Sequence, residues 1–168
     1  MAFTLDTNNV FEGSVQDGTY EVVINKVLPK VTPGGTDYVE FDLIIRNDFN
    51  QKYKNAHIFH KVWKAKETGK YNPKSFNTIG KACQMQNGKT YSSFEDLLKD
   101  FERQVCKVTV KNETSEYNGK AYENLNVKSW YESAVPNCQH QFKADTSNMT
   151  VSDMQNAGIQ VNEDDLPF

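Results

Sequence analysis

The chain has 168 residues, 38% hydrophobic and 24% charged, with a formal net charge of -3, a mean hydropathy of -0.70 and an isoelectric point near 5.6. That length holds one domain of usual size plus a remainder, no apolar run is long enough for a membrane-spanning helix, and Cys83, Cys106 and Cys138 are too few and too far apart for a disulfide framework. The acidic balance speaks against a nucleic-acid binder only as an average, because from Tyr131 onward Glu132, Asp145, Asp153, Glu163, Asp164 and Asp165 face the single base Lys143 and the rest of the chain is mildly basic.

Residues 1 to about 17 carry no sustained periodicity, and their opening lacks the basic and apolar regions of an export signal, so a reducing cytoplasm is expected. The stretch GTYEVVINKVLPK sets Tyr20, Val22, Ile24 and Lys26 against Glu21, Val23, Asn25 and Val27, with β-formers on both faces, which predicts a first, largely covered strand. Pro33, Gly34 and Gly35 predict a tight or mobile loop able to close over a ligand strand. In YVEFDLIIR, Val39, Phe41, Leu43 and Ile45 alternate with Tyr38, Glu40, Asp42, Ile44 and Arg46, a second strand with one face in a core. A third, HIFHKVWK, alternates Ile58, His60 and Val62 with His57, Phe59, Lys61 and Trp63.

The period then changes. Asn72 and Pro73 read as N-cap and first helical residue ahead of Phe76, Ile79 and Cys83. Ser92 and Glu95 read as a capping box before Phe94, Leu97, Leu98 and Phe101. Strands resume in QVCKVTVKN and KAYENLNVKSW, joined across an Asn118-Gly119 hairpin signal. The order β, β, β, α, β, β predicts a mainly β protein, a five-stranded OB-fold barrel with a helical insert between strands three and four; an SH3-like barrel or an α+β sheet shares the order, and the helix position favours the OB-fold. Past Trp130 the apolar pattern dissolves, so residues 1–131 are expected to form the domain and residues 132–168 a flexible acidic tail, with room for a short helical turn from Val151 to Asn156.

Arg46, Lys52, Lys54, Lys61, Lys64 and Lys66, followed by Lys70, Lys74 and Lys81, are interleaved with Tyr53, Phe59, Trp63 and Tyr71. Cations that neutralise phosphates beside flat rings that stack on unpaired bases are what single-stranded nucleic acid requires. If Ile58 and Val62 face the core, then Phe59, Lys61 and Trp63 face the other way, with Tyr38 and Arg46 beside them on strand two. Tyr117, Lys120 and Tyr122 at the second hairpin, with Lys111 and Lys128 near, supply an opposite jaw, and Lys26 and Lys30 border the first loop. Any one of these rings could instead be core, and any one of these lysines plain surface. No catalytic residue, metal or cofactor is expected: His57 and His60 fall on opposite faces, Cys138 and His140 lack a second pair at zinc spacing, and nucleophile elbows and phosphate-binding glycine loops are missing.

The chain ends in Asp164, Asp165, Leu166, Pro167 and Phe168 behind further acids. This tip resembles the Asp-Asp-(Ile or Leu)-Pro-Phe terminus of bacterial single-stranded DNA-binding proteins. Segments such as VWKAKETGKYN and the helical insert make the body more similar to the diverged members of that family from phages and prophages of Gram-positive bacteria. The resemblance implies non-specific binding of single-stranded DNA in the cytoplasm of a bacterial host during replication, recombination and repair. It further implies recruitment of proteins of those pathways by the tip and the possibility of a homo-oligomer, though the departures of the body leave the bacterial tetramer open. A recombination mediator or annealing protein is the alternative, and a metal-dependent nuclease a more distant one.

Overall fold

The computed structural model describes residues 3–7 and 13–142. The predicted helical turn at 151–156 and the terminal peptide at 164–168 lie outside the described residues. Five antiparallel strands, β1 (Gly18–Val31), β2 (Asp37–Ile45), β3 (His57–Trp63), β4 (Val105–Tyr117) and β5 (Lys120–Tyr131), form one sheet, with α1 (Pro73–Ala82) and α2 (Phe94–Phe101) between β3 and β4. The sheet order is β3-β2-β1-β4-β5. Its two end strands approach each other where the His60 ring meets Trp130 edge-on at 5.1 Å between centroids, so the sheet curls in the sense expected of an OB-fold.

Alternation explains most of this. Val39, Phe41, Leu43 and Ile45 on β2 and Ile58 and Val62 on β3 are buried, as the period of two demands. In β1 the period breaks: Ile24 pairs with Leu43 and Lys26 with Asp42, leaving Asn25 as an extra, bulged residue. The bulge inverts the parity read from the sequence. Val27 joins Tyr20, Val22 and Ile24 in the core, and Lys26 turns out with Leu28 and Lys30. Pro33 and Gly34 turn the chain between β1 and β2. Gly35 follows at φ +87 with its amide donating to the Thr32 carbonyl at 2.9 Å, so the loop is tight. At the β4–β5 hairpin Asn118 and Gly119 take φ 53 and 76, the left-handed pair that this turn needs.

Pro73 opens α1, and the Asn72 side chain accepts from the Lys74 amide at 3.0 Å. The cap of α2 lies one residue later than the sequence suggests: Ser93 accepts from the Asp96 amide at 3.1 Å. Ser92 instead donates to the Asp96 carboxylate. Phe76, Ile79, Leu98 and Phe101 enter the core beside the strands, with Phe101 edge-on to Phe41 at 5.4 Å. Cys83 and Cys106 are buried free thiols. No helix among the described residues is long and apolar enough to cross a membrane.

The body runs past the expected boundary at residue 131. Residues 132–142 fold back as a strap, held by polar contacts rather than by an apolar pattern. Glu21 accepts from Ser133 Oγ and from the Ala134 amide. Arg46 Nη1 donates to the Val135 carbonyl at 2.6 Å. Asp48 accepts from the Gln139 amide at 2.8 Å, and His140 Nδ1 accepts from the Asn47 amide at 3.0 Å. Arg103 lies over the Phe142 ring at 3.7 Å.

Candidate nucleic-acid interface

Register assembles the site. Across the outward face of β1, β2 and β3 run three rungs: Lys30, Tyr38 and Trp63; Leu28, Glu40 and Lys61; Lys26, Asp42 and Phe59. His57 continues this face one rung further, beside Ile44. Trp63 is 48% and Phe59 51% exposed. These rings are ordered by each other: Tyr38 and Trp63 lie 4.7 Å apart at 35°, and His57 and Phe59 stack at 5.9 Å and 13°. Between the two pairs Lys61 Nζ sits 5.3 Å from the Tyr38 ring and 5.9 Å from the Trp63 ring. Same-face residues on a strand are about 6.6 Å apart, so the face offers aromatic, cation, aromatic in sequence.

Opposite stands the β4–β5 ribbon. Tyr117 pairs with Lys120, Ser115 with Tyr122, Glu113 with Asn124 and Lys111 with Asn126, so the sequence-predicted Lys111, Tyr117, Lys120 and Tyr122 share one face. β1 covers β4 only from Val105 to Val110, so the rest of the ribbon projects beyond the sheet. A cleft of about 500 Å³ lies between the edges of β3 and β5, lined by His57, Phe59, Lys61 and Trp63 on one side and Glu113, Asn124, Asn126 and Lys128 on the other. Lys128 and Glu113 pair across this wall at 2.9 Å. Hydrogen bonds from Asn126 and Lys128 hold the Glu113 carboxyl below its usual range.

The lysines differ in their freedom. Lys30 binds Glu40 at 2.9 Å, a bond that raises its pKa. Lys64 pairs with Asp37 at 3.2 Å and lies 5.4 Å from the Tyr71 ring. Lys26, Lys52, Lys54 and Lys66 are exposed. Two expected contacts are overturned. Arg46 does not share the outward face with Tyr38: it is fully buried, paired with Asp48 and 3.8 Å from Glu21, and occupied by the strap. Tyr53, at φ 59, is a core ring edge-on to Tyr20 at 5.8 Å. His57 is the residue that sequence reasoning left out of the binding set, although its parity with Phe59 already placed it there. Burial pushes His60 down to about 4, so this inner histidine is neutral.

Residues 3–137 match the family model described as a protein of unknown function, DUF669. The chain belongs to the DUF669 family. The matched residues cover the whole barrel and part of the strap, and stop short of the terminal peptide. No curated protein matches the sequence. Among solved structures, the DUF669 chain is similar to one described as yeast RPA bound to ssDNA, with a TM-score of 0.37 and 8% identity over 90% of this chain and 92% of that one. A likeness so distant says nothing about function.

Proposed function

We propose that this protein binds single-stranded DNA with little base preference in the cleft between β3 and the β4–β5 ribbon, and that it has no catalytic activity. The observation that carries the reading is the half-exposed row of Phe59, Lys61 and Trp63 beside Tyr38. Exposed rings cost hydration unless something covers them, and unpaired bases cover rings while their phosphates meet lysine. Lys111, Tyr117, Lys120 and Tyr122 on one face of the ribbon supply the second jaw. Stacking rings and phosphate-pairing lysines favour no particular base, so the role is coating and protection of single strands in replication and recombination within a bacterial host cell.

The terminal peptide extends the reading to protein partners. The Phe168 ring and the neighbouring Asp164, Asp165, Leu166 and Pro167 suit an apolar pocket rimmed by basic residues on a replication, recombination or repair protein. Titration of labelled oligothymidine at several salt concentrations tests the central claim. Affinity should fall with salt as phosphate contacts release counterions, and Trp63 emission should change on binding. Absence of binding at low salt rejects the reading. Cleavage of the oligonucleotide that depends on a divalent metal would replace it with a nuclease, and faster annealing of complementary strands would shift it toward a recombination mediator.

A further inference from the structure

We infer that His57, held by Asp42, is a proton-linked phosphate contact of the cleft, an inference that rests on the single-strand reading above. His57 Nδ1 lies 2.6 Å from Asp42 Oδ1, and the other oxygen of Asp42 accepts from Asn25 Nδ2 at 3.0 Å. An ionised carboxylate only accepts, so Nδ1 carries the hydrogen whether the ring is neutral or charged. The stack on Phe59 fixes the ring plane. These two contacts leave Nε2 as the nitrogen without a partner of this kind, on a side chain 46% exposed that lines the cleft.

The chemistry of that nitrogen depends on one proton. In the neutral ring Nε2 presents a lone pair, which repels a phosphate oxygen. Protonated, it becomes a charged donor that pairs with phosphate while Asp42 stabilises the positive ring from behind. Occupation by a strand and uptake of one proton from solvent onto Nε2 therefore favour each other; no covalent bond changes. The charged groups around the ring are few. On β2 these are Asp42 itself and Glu40, the latter tied to Lys30. Lys61 lies further along the same face of β3. Across the cleft are Glu123 and the Glu113–Lys128 pair, and β1 contributes the neutral Asn25 and the exposed Lys26, which shares the rung of Asp42 and Phe59.

The other histidines are placed differently. His60 is inward and held neutral by burial, and His140 is bound within the strap to the Asn47 amide, its pKa also lowered mainly by burial. His60 borders the same cleft, but its burial keeps it neutral where His57 is half-exposed.

The full-length protein should be titrated with fluorescein-labelled oligothymidine between about pH 5.5 and pH 8 at fixed salt, alongside His57→Gln and Asp42→Asn. Gain of the charged Nε2 donor to phosphate should make wild-type binding tighten about three- to tenfold as the pH falls across the range. H57Q should lose that response, and D42N should keep only part of it. Wild-type binding that is flat across the range, or an H57Q protein that keeps the full response, overturns the inference and leaves the single-strand reading standing. No binding at any pH overturns both.

Discussion

Two aromatic residues with similar sequence surroundings have opposite fates, and the reason is backbone geometry. Trp63 lies on a regular strand with its parity fixed by Val62, whereas Tyr53 sits in a turn at φ 59, where no period governs which way a side chain points. W63A should therefore weaken oligothymidine binding by roughly 1 to 3 kcal/mol with little change in melting temperature, while Y53A should cost about 3 to 5 kcal/mol of stability; calorimetric melting of both variants beside the binding titration separates the outcomes. Arg46 is the charged counterpart of Tyr53. Its guanidinium is inaccessible and joined to Asp48 and the strap, so R46M would strand buried carboxylates and should destabilise the fold by about 3 to 5 kcal/mol. Burial alone would raise Asp48, but hydrogen bonds from Arg46 and the Gln139 amide, with the charge of Arg46, leave it below the usual carboxylate range. Its contribution is thus complete above the ordinary aspartate pKa and disappears as the pH falls through the depressed folded value. Acid titration followed by hydrogen exchange should show residues 133–141 losing protection as the pH falls into that range.

Among the elements, the ribbon is the most exposed to local opening, since β1 supports β4 only as far as Val110 and an isolated pair of strands is marginal in water. Gly119 at φ 76 anchors its turn. G119A adds a side chain in the left-handed region at a cost of about 1 to 2 kcal/mol, expected to appear as faster amide exchange from Lys111 to Asn126 while the barrel melts as before; an unchanged ribbon would show that its order comes from elsewhere. The same elements divide what a sequence can reveal from what it cannot. Strands β2 and β3, the Asn72-Pro73 cap and the Asn118-Gly119 turn follow from residue types at fixed offsets, and with them came the outward row at Tyr38, Phe59, Lys61 and Trp63. The bulge at Asn25 did not, because Ile24, Asn25 and Lys26 fit a regular strand equally well, and only pairing with Leu43 and Asp42 reveals the extra residue. The strap was illegible for a different reason. Its adhesion is polar and long-range, Glu21 to Ser133 and Asn47 to Gln141, and no local periodicity records such contacts.

At the scale of the whole molecule the formal charge of -3 conceals a sorting of charge along the chain. The strap brings Phe142, the last described residue, beneath Arg103. From there residues 143–168 can reach at most roughly 90 Å, about twice the width of a domain of this size. A tethered anion within reach of a basic cleft acts at high effective concentration, so the tip should compete with DNA for the same lysines. Competition between charges is strongest when the screening length is long, about 30 Å at 0.01 M salt against about 10 Å at 0.1 M. Removal of residues 163–168 should therefore tighten oligothymidine binding at low salt, and the gain should shrink as salt is raised. The same truncation should abolish capture of replication or repair proteins from a bacterial host extract, since Phe168 and the acids before it are the groups proposed to engage them. Equal affinity of the truncated and complete chains at every salt concentration would show that the tip does not visit the cleft, and capture that survives truncation would move partner recognition onto the body.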